Sequence, residues 1–139
     1  EDDLMDAIKQ YMQPKWWLIV VGSIFTIMGL MTYMNGEGSA KTAWGDTVTD
    51  NDVFYEKAWS ANVIWVAIIA LASGFLIEGR ALSIVAMGVS GGYIVSFVLI
   101  YLAGADLGYG YLEPGNAAPG IIAAIGLFLS GYLHLEEGE

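Results

Sequence analysis

Four long stretches of this chain carry no charged side chain, and they constrain its fold more than any other feature. They cover residues 16–34, 59–77, 81–105 and 117–135. A helix needs about 20 apolar residues to cross about 30 Å of hydrocarbon, and each stretch is about that long. A strand exposed to lipid would leave its backbone polar groups unpaired, so helices are the expected structure. The sequence predicts an all-α integral membrane protein, a bundle of four transmembrane helices in one domain at 15–139.

A short amphipathic segment precedes the first stretch. Leu4, Ile8, Tyr11 and Met12 share one helical face, and Pro14 would end the helix. The pattern predicts an interfacial helix within residues 1–14, which lies on the membrane surface or docks onto a partner.

The connections between the stretches predict the topology. Only residues 78–80 separate the second and third stretches, so these two helices are expected to be antiparallel neighbours. The other connections are a 24-residue loop at 35–58 and a shorter loop at 106–116. Four crossings put both of these loops on one side. Lys9, Lys15 and Arg80 lie on the other side, against Lys41 and Lys57 on the loop side. This three-to-two excess favours a multi-pass protein with cytoplasmic termini.

Charge and composition argue against several functional classes. The net charge is −10, from 15 acidic and 5 basic residues, which argues against binding to nucleic acid. The chain has no cysteine and one histidine, His134, so we expect no metal site and no bound cofactor supplied by this chain alone. None of the four stretches contains an Asp, Glu, Lys or Arg, and His134 lies near the end of the last one, which argues against a proton path or a transporter site at membrane depth. We therefore expect no catalytic residues.

Small residues at four-residue spacing predict where helices pack closely. On the third stretch they are Gly88, Gly92 and Ser96, which we expect to make the closest helix contact, against the second stretch. The predicted helix-packing residues elsewhere are Gly22, Thr26, Ala70, Gly74, Gly126 and Ser130.

The first long loop combines acidic and aromatic side chains. Its spacing does not fit an EF-hand, because Phe54 occupies a ligand position, so docking onto a basic partner surface is favoured over calcium binding. The candidate docking residues are Trp44, Asp46, Asp50, Asp52, Phe54 and Tyr55.

Gly22, Phe25 and Gly29 on the first helix, followed by a tight hairpin over residues 74–80, resemble the DoxX-type four-helix membrane proteins. That resemblance implies a quinone-associated redox protein, and contact with a lipid or quinone stays open. The residues themselves favour a non-catalytic accessory subunit of a multi-subunit membrane complex, such as an energy-converting or oxygenase complex, with other membrane subunits and lipids as partners. The alternatives are the DoxX-like function and a small transporter or channel.

Overall fold

A computed structural model of the chain describes residues 1–137. The structure is 89 % helical, and no strand occurs in the part of the chain that it describes. The helices are α1 (Asp2–Tyr11), α2 (Pro14–Met34), α3 (Gly36–Trp44), α4 (Asp50–Leu76), α5 (Gly79–Gly104) and α6 (Pro114–Leu133).

The four helices α2, α4, α5 and α6 correspond to the four uncharged stretches, and all are long and apolar enough to cross a membrane. This confirms the predicted all-helical architecture with four candidate spans. Helix α2 begins at Pro14 and α6 begins at Pro114, where the missing N–H of proline costs no helical hydrogen bond.

The 24-residue loop predicted at 35–58 is wrong, because most of it is helical. Helix α3 begins after Asn35, whose side chain accepts a hydrogen bond from the Gly38 backbone N–H at 3.3 Å. Helix α4 begins at Asp50, about two turns earlier than the uncharged stretch. Thr49 and Asp52 cap it reciprocally: the Thr49 N–H donates to the Asp52 carboxylate at 2.8 Å, and the Asp52 N–H donates to Thr49 Oγ1 at 3.3 Å.

The long helices are arranged as two pairs. Helix α2 packs along α4, and α5 packs along α6, whereas α4 and α5 touch only weakly although two residues connect them. Gly22 allows α2 and α4 to approach closely, since a Cβ at this position would lie 2.8 Å from the Leu71 backbone nitrogen. Gly131 allows the same close approach between α5 and α6, since a Cβ at this position would lie 2.5 Å from the Ser83 carbonyl oxygen.

The expectation that Gly88 and Gly92 make the closest helix contact, against the second stretch, is wrong. A Cβ at either position would have no atom within 4 Å. The reason is that α4 turns its small residues toward α2, where Gly74 lies against Lys15 and Ile19. The face of α5 that carries Gly88, Gly92 and Ser96, called here the flat face, is therefore left uncovered at its two glycines.

Helix α1 is attached to the C-terminal end of α6. His134 is only 5 % exposed, and its Nε2 lies 2.9 Å from the Lys9 carbonyl oxygen. Its Nδ1 contacts the Glu137 carboxylate, which also lies 4.0 Å from Lys9 Nζ. The apolar side chains of α1 point outward, as shown by the 67 % exposure of Leu4.

Candidate functional site

A half-enclosed cavity separates the two helix pairs. Its volume is about 600 Å³, and all four long helices contribute to its wall. On α4 the lining extends from Glu56 to Ala70, which at about 1.5 Å per residue corresponds to about 21 Å along the helix axis. The volume falls within the range of about 300–1,000 Å³ that is usual for small-molecule pockets.

The cavity is polar at one end. Glu56 lies there, only 5 % exposed, and the Tyr109 hydroxyl donates a hydrogen bond to Glu56 Oε1 at 3.0 Å. Tyr111 and Asn116 line the same end. Glu56 is the one charged side chain among the lining residues.

Three local features bring Tyr109 to Glu56. Gly108 takes a left-handed φ of +72° after α5, a conformation in which glycine has no Cβ penalty. Gly110 lies so close to the Thr42 carbonyl that a Cβ would overlap it. The connection between α5 and α6 is therefore packed against α3. Finally, the Trp44 ring packs on the Tyr109 ring with centroids 5.2 Å apart. The connection between α2 and α4 and the connection between α5 and α6 therefore pack together and cover the polar end of the cavity.

Burial and the neighbouring Glu56 carboxylate raise the pKa of the Tyr109 hydroxyl well above its ordinary value. Tyr109 therefore keeps its proton and acts as a hydrogen-bond donor to Glu56 throughout the physiological pH range.

The other end of the cavity is apolar. Ala70, Val89, Ala124 and Leu127 line it, with Gly88 and its neighbours on the flat face of α5. Halfway along, the Tyr93 ring meets the Phe25 ring edge-on at 5.9 Å, and its hydroxyl lies against Gly120. The lining therefore changes from polar to apolar along the helix axes.

Some of the predicted helix-packing residues lie in contacts between helices, and others line the cavity. Gly22 and Gly74 lie in the α2–α4 contact, and Gly126 gives room to the Trp17 ring. Thr26 and Ser130 donate to carbonyl oxygens of their own helices, at 2.7 Å and 2.6 Å. The cavity lining includes Ala70, Gly88, Gly92 and Ser96.

The predicted docking residues also divide. Trp44 packs against Tyr109, and Asp52 caps α4, so both have contacts within the chain. Phe54 and Tyr55 are 63 % and 66 % exposed, with their rings edge-on at 5.6 Å. Asp46 and Asp50 are exposed as well.

Sequence reasoning missed Glu56 and Tyr109, the pair that defines the polar end. The sequence analysis assigns Glu56 to the loop at 35–58, outside the helices that could span a membrane. The signal that would have corrected this is the Thr49-x-x-Asp52 capping pattern, which starts α4 early enough to carry Glu56. No local pattern indicates Tyr109 as its partner, since 53 positions separate the two residues.

Within residues 1–137 no group of three or more His, Cys, Asp or Glu side chains is placed to hold a metal ion. No family model, no curated protein and no solved structure matches the chain.

Proposed function

We propose that this chain crosses a membrane four times and serves as a non-catalytic subunit of a membrane complex, holding a lipid-like molecule in its cavity. The observation that carries this proposal is the lengthwise change from a polar to an apolar lining. In the proposed orientation the polar end lies at the membrane surface beneath the two connections, and the apolar end lies toward the bilayer interior. An amphipathic molecule aligned with the neighbouring lipids would match both ends.

The size of the cavity supports the same proposal. The α4 lining of about 21 Å covers about two thirds of a hydrocarbon core of about 30 Å. The uncovered face of α5 at Gly88 and Gly92 supplies the width, because glycines leave space that larger side chains would fill.

Partner subunits are proposed to contact the surface formed by Asp46, Asp50, Phe54 and Tyr55. The exposed carboxylates complement a basic surface, and the two exposed rings offer apolar area. Aromatic side chains are enriched at protein interfaces, and charged residues around them chiefly give specificity and speed of association.

A quinone is the second candidate occupant. The observation that favours it is the Glu56 carboxylate, which accepts from the Tyr109 hydroxyl and has a second oxygen that could accept a hydrogen bond from the hydroxyl of the reduced quinone. Extraction of the purified chain followed by ultraviolet spectroscopy and mass spectrometry would distinguish a quinone from another lipid.

The test is a cavity-filling substitution with a matched control. Gly92→Leu places a side chain in the cavity, whereas Gly91→Leu adds the same side chain at a position that also has no atom within 4 Å of a Cβ but does not line the cavity. After extraction into polymer nanodiscs without detergent, native mass spectrometry should find a bound lipid-like molecule on the wild type and on Gly91→Leu, and little on Gly92→Leu. Equal occupancy in all three, or none in the wild type, would contradict the proposal.

A further inference from the structure

The Glu56 carboxylate has no cationic partner among the described contacts of the chain. Among residues 1–137, ion pairs join Lys9 and His134 to Glu137, and Lys41 to Glu37. Lys57 follows Glu56 directly, but its Nζ lies 5.4 Å from the centre of the Tyr33 ring.

The other two basic residues are also placed elsewhere. Lys15 Nζ lies 5.6 Å from the centre of the Trp16 ring, at the start of α2. Arg80 lies in the first turn of α5, at the end of that helix opposite the polar end of the cavity. Glu56 therefore lines the cavity with a hydrogen bond from Tyr109 and with no Lys or Arg among the described lining residues.

A buried carboxylate is unfavourable without a positive charge beside it. An ionised carboxylate removed from water loses much of its solvation free energy unless a positive charge offsets the loss. The Tyr109 hydroxyl supplies a hydrogen bond but no charge. A ligand with a cationic group at this end would form an ion pair with the Glu56 carboxylate.

Aromatic side chains around the same end add to that preference. Trp59, Tyr109 and Tyr111 line the cavity near Glu56, and the two tyrosine rings lie 5.7 Å apart. The faces of aromatic rings attract ammonium groups, and the attraction is stronger where water is excluded. An anionic head group would meet Glu56 with no basic residue in the lining to offset the repulsion.

We propose that the occupant of the cavity is an amphipathic amine or quaternary ammonium compound, whose cationic head lies between the Glu56 carboxylate and these aromatic rings. This inference rests on the proposed function, since it specifies the class of molecule held in the same cavity. The apolar part of the compound occupies the end lined by Ala70 and Leu127.

The test compares two probes of equal chain length on the full chain in nanodiscs. Dodecyltrimethylammonium carries the cationic head, and 1-dodecanol is its neutral counterpart. Trp59 and Trp65 line the cavity, so tryptophan fluorescence reports binding after subtraction of partitioning into empty nanodiscs. The wild type should bind the cation about tenfold or more tightly than the alcohol, because truncating one member of a desolvated charge pair typically costs more than the 1.4 kcal/mol of a tenfold change.

Glu56→Gln removes the charge while it keeps an oxygen for Tyr109, and Glu113→Gln removes one exposed acidic charge at the start of α6 as the control. Glu56→Gln should lose the preference for the cation and keep its affinity for the alcohol, and Glu113→Gln should behave as the wild type. Equal affinity of the wild type for both probes would overturn the inference whether or not Glu56→Gln folds.

The Gly92→Leu variant distinguishes a wrong charge preference from a wrong proposed function. If Gly92→Leu abolishes binding of both probes while Glu56→Gln leaves their ratio unchanged, the cavity holds amphipathic molecules and the charge preference is refuted. If Gly92→Leu binds both probes as the wild type does, the cavity is not the site and the proposed function itself fails.

Discussion

The substitution Gly22→Ala should destabilise the protein much more than Gly92→Ala, although both add one methyl group to a long helix. The added Cβ at Gly22 would lie 2.8 Å from the Leu71 nitrogen and 2.9 Å from the Ala67 carbonyl oxygen. Ordinary contact of a Cβ begins at 3.4 Å, so the shortfall against the Leu71 nitrogen is 0.6 Å. Both opposing atoms belong to the α4 backbone, so no side-chain rotation can relieve the clash.

The two helices must therefore separate, and their contacts weaken over several turns. A gap of about 0.5–1 Å forfeits a quarter to a half of the dispersion energy of each atom pair. Overpacking of this kind typically costs about 1–3 kcal/mol. At Gly92 the methyl group meets no atom, and alanine is about 0.5–1 kcal/mol better than glycine inside a helix. The helical gain of alanine applies at both positions and cancels in the comparison, so we expect the two variants to differ by the overpacking cost, about 1–3 kcal/mol, in the free energy of unfolding.

Reversible unfolding in mixed micelles with increasing dodecyl sulfate would measure this difference, with circular dichroism as the signal for α-helix and tryptophan fluorescence as the signal for packing. Equal stabilities of Gly22→Ala and Gly92→Ala would refute the assignment of the closest helix contact to α2 and α4. A less stable Gly92→Ala would restore the original expectation that α5 makes that contact.

Three further outcomes are expected. Single cysteines at Asp46 and Glu136, both exposed, should be labelled by an impermeant maleimide from opposite sides of sealed vesicles; labelling of both from one side would refute four crossings. Thr49→Ala should cost about 0.5–2 kcal/mol of unfolding free energy through loss of the α4 cap, and an unchanged midpoint would show that the cap is dispensable. His134→Ala should release α1 by removing the contact to the Lys9 carbonyl, seen as faster amide exchange in residues 2–11 with no change in α4.

The four long helices could be predicted from the sequence because absence of charge over about 20 residues has few structural explanations. The start of α4 could not be found from charge alone. Asp50, Asp52 and Glu56 are acidic, as expected of a loop, yet Asp52 serves as a capping residue and Glu56 is buried. The helix dipole favours acidic residues in the first turn of a helix, and hydration favours them in loops facing water, so acidic charge alone does not distinguish the two.

The pairing of the helices was the larger error. A connection of two residues between α4 and α5 implies that their ends are close, and it does not imply that the helices pack along their lengths. Gly22 and Gly92 carry the same spacing signal, and only the partner helix decides which glycine lies in a contact and which lines a cavity. The cavity was not predicted for this reason, since its wall combines residues from four helices that no local pattern relates.

The division into two helix pairs also bears on how the chain could be assembled. Residues up to Ile77 form one hairpin with its own close contact at Gly22, and residues from Gly79 form a second hairpin with its own contact at Gly131. In the proposed topology each hairpin can enter the bilayer as a unit during synthesis, so the second would dock onto a preformed first half along the seam where the Trp17 ring fits against Gly126. Two polypeptides divided at Glu78 would each keep one close helix contact, and the cavity would form only when the two halves meet, because its wall uses residues of both.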